Sequence, residues 1–183
     1  MKPWHFKIFH KLLDEAQPQT IGEIGTHNGR TGVQMCEYML KNYEHKVVYS
    51  GYDAWELISA EESEFEEING KGVPKDESTA RRFLSKMSKR YPNRLKFSLT
   101  KGYTIDTIKE PIAFDFVYID AGHKYESVLH DWNMVNKSKM IVFDDYVLPG
   151  VKKVLDLHVS PNNAIEYIPF TDESRAVAVV RNF

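Results

Sequence analysis

The sequence has a single cysteine, no long apolar run and almost no net charge. Cys36 alone excludes an internal disulfide and a cysteine-based zinc site. No stretch approaches the roughly 18 apolar residues of a membrane span, and the opening residues lack the cleavage site of a signal peptide. A formal net charge of −2 gives no general attraction to nucleic acid or anionic membranes. We therefore expect a cytoplasmic protein that binds neither.

Length and composition fit one globular domain. The 183 residues are 42% hydrophobic and 27% charged, which excludes a disordered chain, and domains average about 150 residues. We place one domain over residues 1–183, beginning with a helix within 1–19. A charged insertion over 56–92 is expected to form one or two helices around a turn at 69–74, and it could cover a binding site as a lid.

Strand-like and helix-like segments alternate along the chain. The predicted strands lie at 20–24, 46–53, 95–99, 113–119, 140–143, 164–170 and 176–180, and the intervening helices at 30–42, 103–109, 125–135 and 151–159. Alternation predicts a mostly parallel sheet with helices on both faces. The short last connection, at 171–174, predicts a hairpin with one antiparallel strand. The expected fold is α/β, a doubly wound seven-stranded sheet with an antiparallel closing strand.

Acidic residues end or follow four of the predicted parallel strands. They are Glu23, Asp53, Asp120, Asp144 and Asp145. Open α/β sheets bind ligands beyond the carboxyl ends of their strands. Folding alone does not require carboxylates there, because each buried charge must find its own partner. The pattern therefore indicates a functional site.

The loop after the first strand is rich in glycine but is not a phosphate-binding motif. Its glycines at 22, 25 and 29 do not match G-x-G-x-x-G, and no Lys-Ser or Lys-Thr pair follows. A carboxylate at Glu23 suits a cationic group, and Asp53 can accept both hydroxyls of a ribose. These features disfavour a diphosphate or triphosphate ligand. A plain strand-to-helix turn is the alternative.

Together these residues resemble the class I S-adenosylmethionine-dependent methyltransferases. The pattern Glu23-x-Gly25-x-x-x-Gly29 is similar to the first motif of that family. The runs D-A-G-H-K-Y-E at 120–126 and F-D-D-Y at 143–146 resemble small bacterial and phage members whose signature is D-G-D-H-x-Y-E followed by F-D-D-Y. The resemblance covers about residues 20–156 and implies a Rossmann-like methyltransferase fold. Gly122 stands where the signature has its second aspartate.

The resemblance implies S-adenosylmethionine as the cofactor. This molecule carries a sulfonium and an ammonium group and no phosphate, which agrees with a loop that has carboxylates and no lysine. The residues that the resemblance assigns to cofactor binding are Glu23, Gly25, Thr26, Asn28, Gly29, Asp53, Ala54, Gly102, Tyr103 and Asp120.

Three aspartates suggest a metal site. Asp120, Asp144 and Asp145 are expected to end neighbouring strands, and three carboxylates suit Mg²⁺ or another divalent cation. The arrangement resembles that of metal-dependent O-methyltransferases acting on catechols and antibiotic sugars. Such an ion would hold two substrate oxygens and lower the pKa of a hydroxyl. The alternative is that Asp144 caps the next segment and Asp145 contacts cofactor or solvent.

His123 and Asp120 form the predicted catalytic set. An ordinary imidazole pKa of about 6.5 lets His123 accept a proton near neutrality, and the resemblance to catechol-type enzymes implies that it deprotonates the acceptor. The alternative is that His123 orients its loop through hydrogen bonds. The nearby acidic run Glu61–Glu67 is interpreted as a solvated helix face.

The leading hypothesis is methyl transfer to an oxygen of a small molecule, with or without a divalent metal. Metal-independent transfer to nitrogen or oxygen is the alternative within this class. A catalytically inactive module that binds a nucleoside or a protein partner is the alternative outside it, since fold does not fix function. The sheet uses nearly the whole chain, so we expect a small acceptor, or a site completed in a homodimer, rather than a large folded substrate.

Overall fold

The computed structural model describes residues 5–68, 76–169 and 176–183. The predicted turn at 69–74 and the predicted closing loop at 171–174 lie outside these ranges. The described strands are β1 (Thr20–Ile24), β2 (Val47–Asp53), β3 (Leu95–Lys101), β4 (Phe116–Ile119), β5 (Met140–Phe143), β6 (Ile165–Pro169) and β7 (Ala176–Arg181). The α-helices are α1 (His5–Ala16), α2 (Arg30–Asn42), α3 (Ala60–Ile68), α4 (Ser78–Arg90), α5 (Thr104–Thr107), α6 (Tyr125–Val135) and α7 (Pro149–Val154).

The strands form one seven-stranded sheet in the order β3-β2-β1-β4-β5-β7-β6. Strands β1 to β5 are parallel, whereas β7 runs antiparallel to both β5 and β6. The predicted fold is confirmed, including the single antiparallel strand. The order reverses at β1, because β2 lies on one side of it and β4 on the other. This reversal is the topological switch point where such sheets bind ligands.

Apolar helix faces cover both sides of the sheet. One cluster of buried residues joins α1, α2 and α4 to the sheet through Phe9, Met35 and Leu84. A second cluster joins α6 and α7 to the other face through Trp132 and Val154. In the described part of the chain, none of the helices has the length and apolar character needed to cross a membrane.

Several predicted segments have different bounds in the structure. Strand β4 begins at Phe116 rather than at 113, because the residues before it make loop contacts. The Phe114 N–H donates to Ser138 Oγ (3.0 Å), and the Asp115 carboxylate accepts the Thr20 N–H (2.9 Å). The helix predicted at 103–109 is reduced to the single turn of α5, and the helix predicted at 151–159 begins at Pro149 and finishes in a π-helical turn.

Candidate active site

A cavity of about 660 Å³ opens beyond the carboxyl ends of β1, β2, β3 and β4. Its volume lies within the range of about 300–1,000 Å³ that is typical of small-molecule sites. Loops after these strands form its floor, and residues from α3, α5 and α6 form its walls. The predicted site residues that line it are Gly25, Thr26, Asn28, Asp53, Ala54, Gly102, Tyr103, Asp120, His123 and Asp144.

Gly25 allows the loops after β1 and β4 to touch. Its φ is +92°, and a Cβ built there would lie 1.9 Å from the carbonyl oxygen of Asp120. Only glycine satisfies both conditions. Gly29, with φ +73°, directly precedes α2 and packs against Ala80 of α4 instead of lining the cavity.

Glu23 lies beneath the cavity and is not among its lining residues. Its side chain is 1% exposed and accepts a hydrogen bond from the Tyr49 hydroxyl. Tyr49 reaches it because Gly32 has no side chain; a Cβ there would lie 2.5 Å from the Tyr49 ring. Burial raises the pKa of Glu23 to about 8, although the hydrogen bond from Tyr49 opposes the shift. A role of Glu23 in cofactor binding stays a prediction.

Asp53 organises the cavity rim at the end of β2. One carboxylate oxygen accepts the His27 N–H and the other accepts the Trp55 N–H, both at 2.7 Å. Burial raises the pKa of Asp53, and these two hydrogen bonds oppose that rise. The Trp55 Nε1–H in turn donates to the His27 carbonyl at 2.7 Å, so the loops after β1 and β2 are held together.

The structure forms a different three-residue cluster from the predicted metal set. Side-chain atoms of Asp120, His123 and Asp145 lie within 4.8 Å of one another. Asp144 is outside this group, and its carboxylate accepts the Tyr118 hydroxyl at 2.8 Å. Asp145 has a φ of 47°, in the left-handed region, so the two consecutive side chains diverge. This cluster differs from the predicted set at one position, where His123 stands in place of Asp144, and the metal site stays a prediction.

His123 is enclosed by carboxylates from two directions, and one of them was missed in the sequence. Its Nδ1 lies 2.7 Å from Glu66 Oε2, and its Nε2 lies 3.7 Å from Asp145 Oδ2. Glu66 is buried at 9% exposure, so the interpretation of residues 61–67 as a wholly solvated face is wrong at this residue. Phe65 was the available signal, because the aromatic residue marks the inward face of α3.

Asp131 on α6 is a second missed residue of the cavity wall. It is 1% exposed and accepts a hydrogen bond from Thr104 Oγ1 of α5 at 2.5 Å. Burial raises its pKa to about 7, while the bond from Thr104 opposes the rise. The sequence held a signal here too, because Asp131 shares the apolar helix face of Val128 and Val135.

Comparisons with solved structures show the fold. The O-methyltransferase NovP is 17% identical with a TM-score of 0.72, covering 98% of this chain and 80% of its own. An O-methyltransferase from Bacillus cereus in complex with SAH is 16% identical, with a TM-score of 0.65 and coverages of 100% and 82%. TomG, an O-methyltransferase from Streptomyces achromogenes in complex with SAM, is 15% identical, with a TM-score of 0.64 and coverages of 99% and 80%.

Sequence comparisons identify the family. An uncharacterized protein of Acanthamoeba polyphaga mimivirus is 36% identical over 81 residues, which cover 38% of this chain and 34% of that protein. The match thus spans about a third of the length of this curated relative. A family model described as a methyltransferase domain matches residues 23–146, about two thirds of the chain. The chain therefore belongs to this methyltransferase domain family, in agreement with the predicted enzyme class.

Proposed function

We propose that this enzyme transfers a methyl group from S-adenosylmethionine to a hydroxyl oxygen of a small molecule. One observation carries the proposal: a single cavity at the switch point joins the Asp53 carboxylate, the Gly25 loop and His123. Two of the structures with the same fold are complexes with SAM or SAH. The cavity thus combines Asp53, a candidate group for binding a nucleoside, with His123, a candidate proton acceptor. This combination favours an enzyme over an inactive binding module.

The cofactor is proposed to lie along the loops after β1, β2 and β3. Each Asp53 carboxylate oxygen already accepts one backbone N–H and keeps a lone pair that can accept a ribose hydroxyl. Ala54 and Tyr103 line the adjoining wall, where an adenine ring can pack. The loop from Gly25 to Gly29 offers backbone groups to the methionine end, and Glu23 supports this loop from below through Tyr49.

The chain's part in the reaction is to orient the acceptor and remove its proton. When bound, S-adenosylmethionine supplies an electrophilic methyl group. As the new oxygen–carbon bond forms, the sulfur–carbon bond breaks, and the hydroxyl proton passes to Nε2 of His123. A positioned base of this kind contributes typically 10²–10⁴-fold. Asp120, which also accepts the Tyr118 hydroxyl at 3.2 Å, belongs to the same cluster as His123 and offers its carboxylate to the acceptor side of the cavity.

A divalent cation is a second proposal for the same cluster. Two carboxylates and one imidazole, from Asp120, Asp145 and His123, fit the oxygen and nitrogen preferences of Mn²⁺ and related ions. Such an ion supplies Lewis-acid chemistry, which lowers the pKa of a bound hydroxyl. In that case His123 serves as a ligand instead of a base, so the two proposals differ in their response to a chelator.

We also propose a small acceptor and membership of the subgroup with the D-G-D-H-x-Y-E signature. The cavity must accommodate the cofactor and the acceptor together, and α3 covers it through Phe65 and Glu66. At Gly122 a Cβ would meet nothing nearer than Ser127 at 3.5 Å. The chain thus keeps the histidine of the signature and has a glycine, with room for a Cβ atom, where the second aspartate stands.

The test compares the wild type with His123→Ala. S-adenosylhomocysteine release is measured over small hydroxylated acceptors, with catechol and hexoses as first probes, in EDTA and in added Mg²⁺ or Mn²⁺. We expect the variant to lose at least about 100-fold in kcat while S-adenosylmethionine binding remains. Full activity in the variant would contradict a direct role of His123. Loss of wild-type activity in EDTA and its return with metal would favour the cation proposal over the base.

A further inference from the structure

Two contacts between Glu66 and His123 connect helix α3 to the loop after β4. Glu66 Oε1 accepts the backbone N–H of His123 at 3.1 Å, and Glu66 Oε2 lies 2.7 Å from His123 Nδ1. Both side chains are buried. The neighbouring Lys124 adds a second connection, because its Nζ lies 2.7 Å from Glu61 and 5.5 Å from the centre of the Phe65 ring.

The chemistry of this contact fixes which imidazole nitrogen carries the proton. An ionised carboxylate only accepts hydrogen bonds, and a backbone N–H only donates. With Glu66 ionised and its Oε1 accepting the backbone N–H of His123, the short contact at Oε2 requires a proton on Nδ1. In the neutral ring the lone pair is then on Nε2, which lies 3.7 Å from Asp145 Oδ2. Asp145 and His123 form the three-residue cluster with Asp120.

We propose that Glu66 is a positioning residue: it holds His123 as the Nδ1–H tautomer and leaves Nε2 as the atom that accepts a proton or binds a cation. The use made of Nε2 rests on the proposed function, whereas the tautomer is a property of the protein without ligands. In Ser-His-Asp triads, changing the orienting carboxylate to an amide preserves the geometry but lowers kcat about 10⁴-fold, because the tautomer becomes wrong. A carboxylate behind a metal-binding histidine has the same orienting effect.

The substitution Glu66→Gln separates this role from a structural one. Glutamine has nearly the same shape, with one accepting oxygen and one donating amide group. Its oxygen can keep the bond from the His123 backbone, which places the amide group against Nδ1. Nδ1 must then accept, so the proton moves to Nε2. Glu67→Gln is the matched control, because it makes the same charge change at an exposed residue of the same helix.

The first readout is the tautomer of His123, measured by ¹⁵N NMR of the imidazole at about pH 8, where a neutral free imidazole predominates. We expect Nδ1–H in the wild type and in Glu67→Gln, and Nε2–H in Glu66→Gln. A wild-type proton on Nε2, or the same tautomer in the wild type and Glu66→Gln, would overturn the proposal. The wild-type spectrum alone keeps the test decisive if a variant does not fold.

The second readout separates positioning from folding and from the proposed function. We expect Glu66→Gln to bind S-adenosylmethionine within about twofold of the wild type and to lose about 100-fold in kcat, with little change in the acceptor KM. Wild-type kcat in this variant would overturn the positioning role. Failure of the wild type to bind S-adenosylmethionine would instead refute the proposed function, while the tautomer would still decide the role of Glu66.

Discussion

Asp131 lies on helix α6 and not at the end of a strand, and burial changes the pKa of its carboxyl group. Its pKa rises from 3.8 to about 7 because the side chain is buried in the cavity wall. The folded protein therefore holds this proton more tightly than the unfolded chain. The free energy of unfolding should then decrease as the pH rises from about 4 to about 7, and it should level off above that range.

The substitution Asp131→Asn tests this at the scale of one residue. Asparagine does not titrate. The stability of the variant relative to the wild type should therefore increase when the pH is raised from about 4 to about 8. The pKa difference of about three units corresponds to at most about 4 kcal/mol. Urea unfolding at both pH values measures the gain, with Asp106→Asn on the exposed side of α5 as the control. Parallel pH profiles for Asp131→Asn and the wild type would contradict a buried carboxyl with a raised pKa.

At the scale of elements, the contact between the loops after β1 and β4 depends on Gly25. Alanine there would combine a left-handed φ of +92° with a Cβ 1.9 Å from the Asp120 carbonyl. We expect Gly25→Ala to lose about 2 kcal/mol or more of stability and to weaken S-adenosylmethionine binding, because the cavity floor must move.

Gly122→Ala is the matched control for this substitution in the neighbouring loop. Its Cβ would meet Ser127 at an ordinary 3.5 Å, so its stability should stay within about 0.5 kcal/mol of the wild type. Urea denaturation of both variants measures the difference. Equal stability for Gly25→Ala and Gly122→Ala would show that the close approach of the two loops does not constrain the fold.

Element bounds were predictable wherever the periodicity of apolar residues was continuous. The predicted bounds of β1, α2, α6 and β5 match the structure, because each segment carries one clear apolar pattern. The start of β4 was wrong because Phe114 and Asp115 look like strand residues but bond to distant parts of the chain. The link from Glu66 to His123 joins residues 57 positions apart, so no local pattern reports it.

At the scale of the whole molecule, the alternation of strands and helices predicted the sheet. It did not predict which residues form the acidic cluster. Alternating strands and helices restrict the topology strongly, and the strand-end rule placed the cavity correctly. The sequence D-D at 144–145 does not reveal that Asp145 adopts φ 47° and approaches His123 while Asp144 bonds to Tyr118. A homodimer and a cytoplasmic location stay predictions.

Isothermal titration of S-adenosylmethionine into the wild type and Asp53→Ala tests the central claim most directly. We expect the wild type to bind with a Kd between about 1 μM and 1 mM, the usual range for enzyme substrates. Loss of the charged acceptor at Asp53 should weaken binding at least about tenfold, because hydrogen bonds to a charged group are worth about 1.5–3 kcal/mol each. Absence of wild-type binding at about 1 mM cofactor, or equal affinity in Asp53→Ala, would contradict the proposed site.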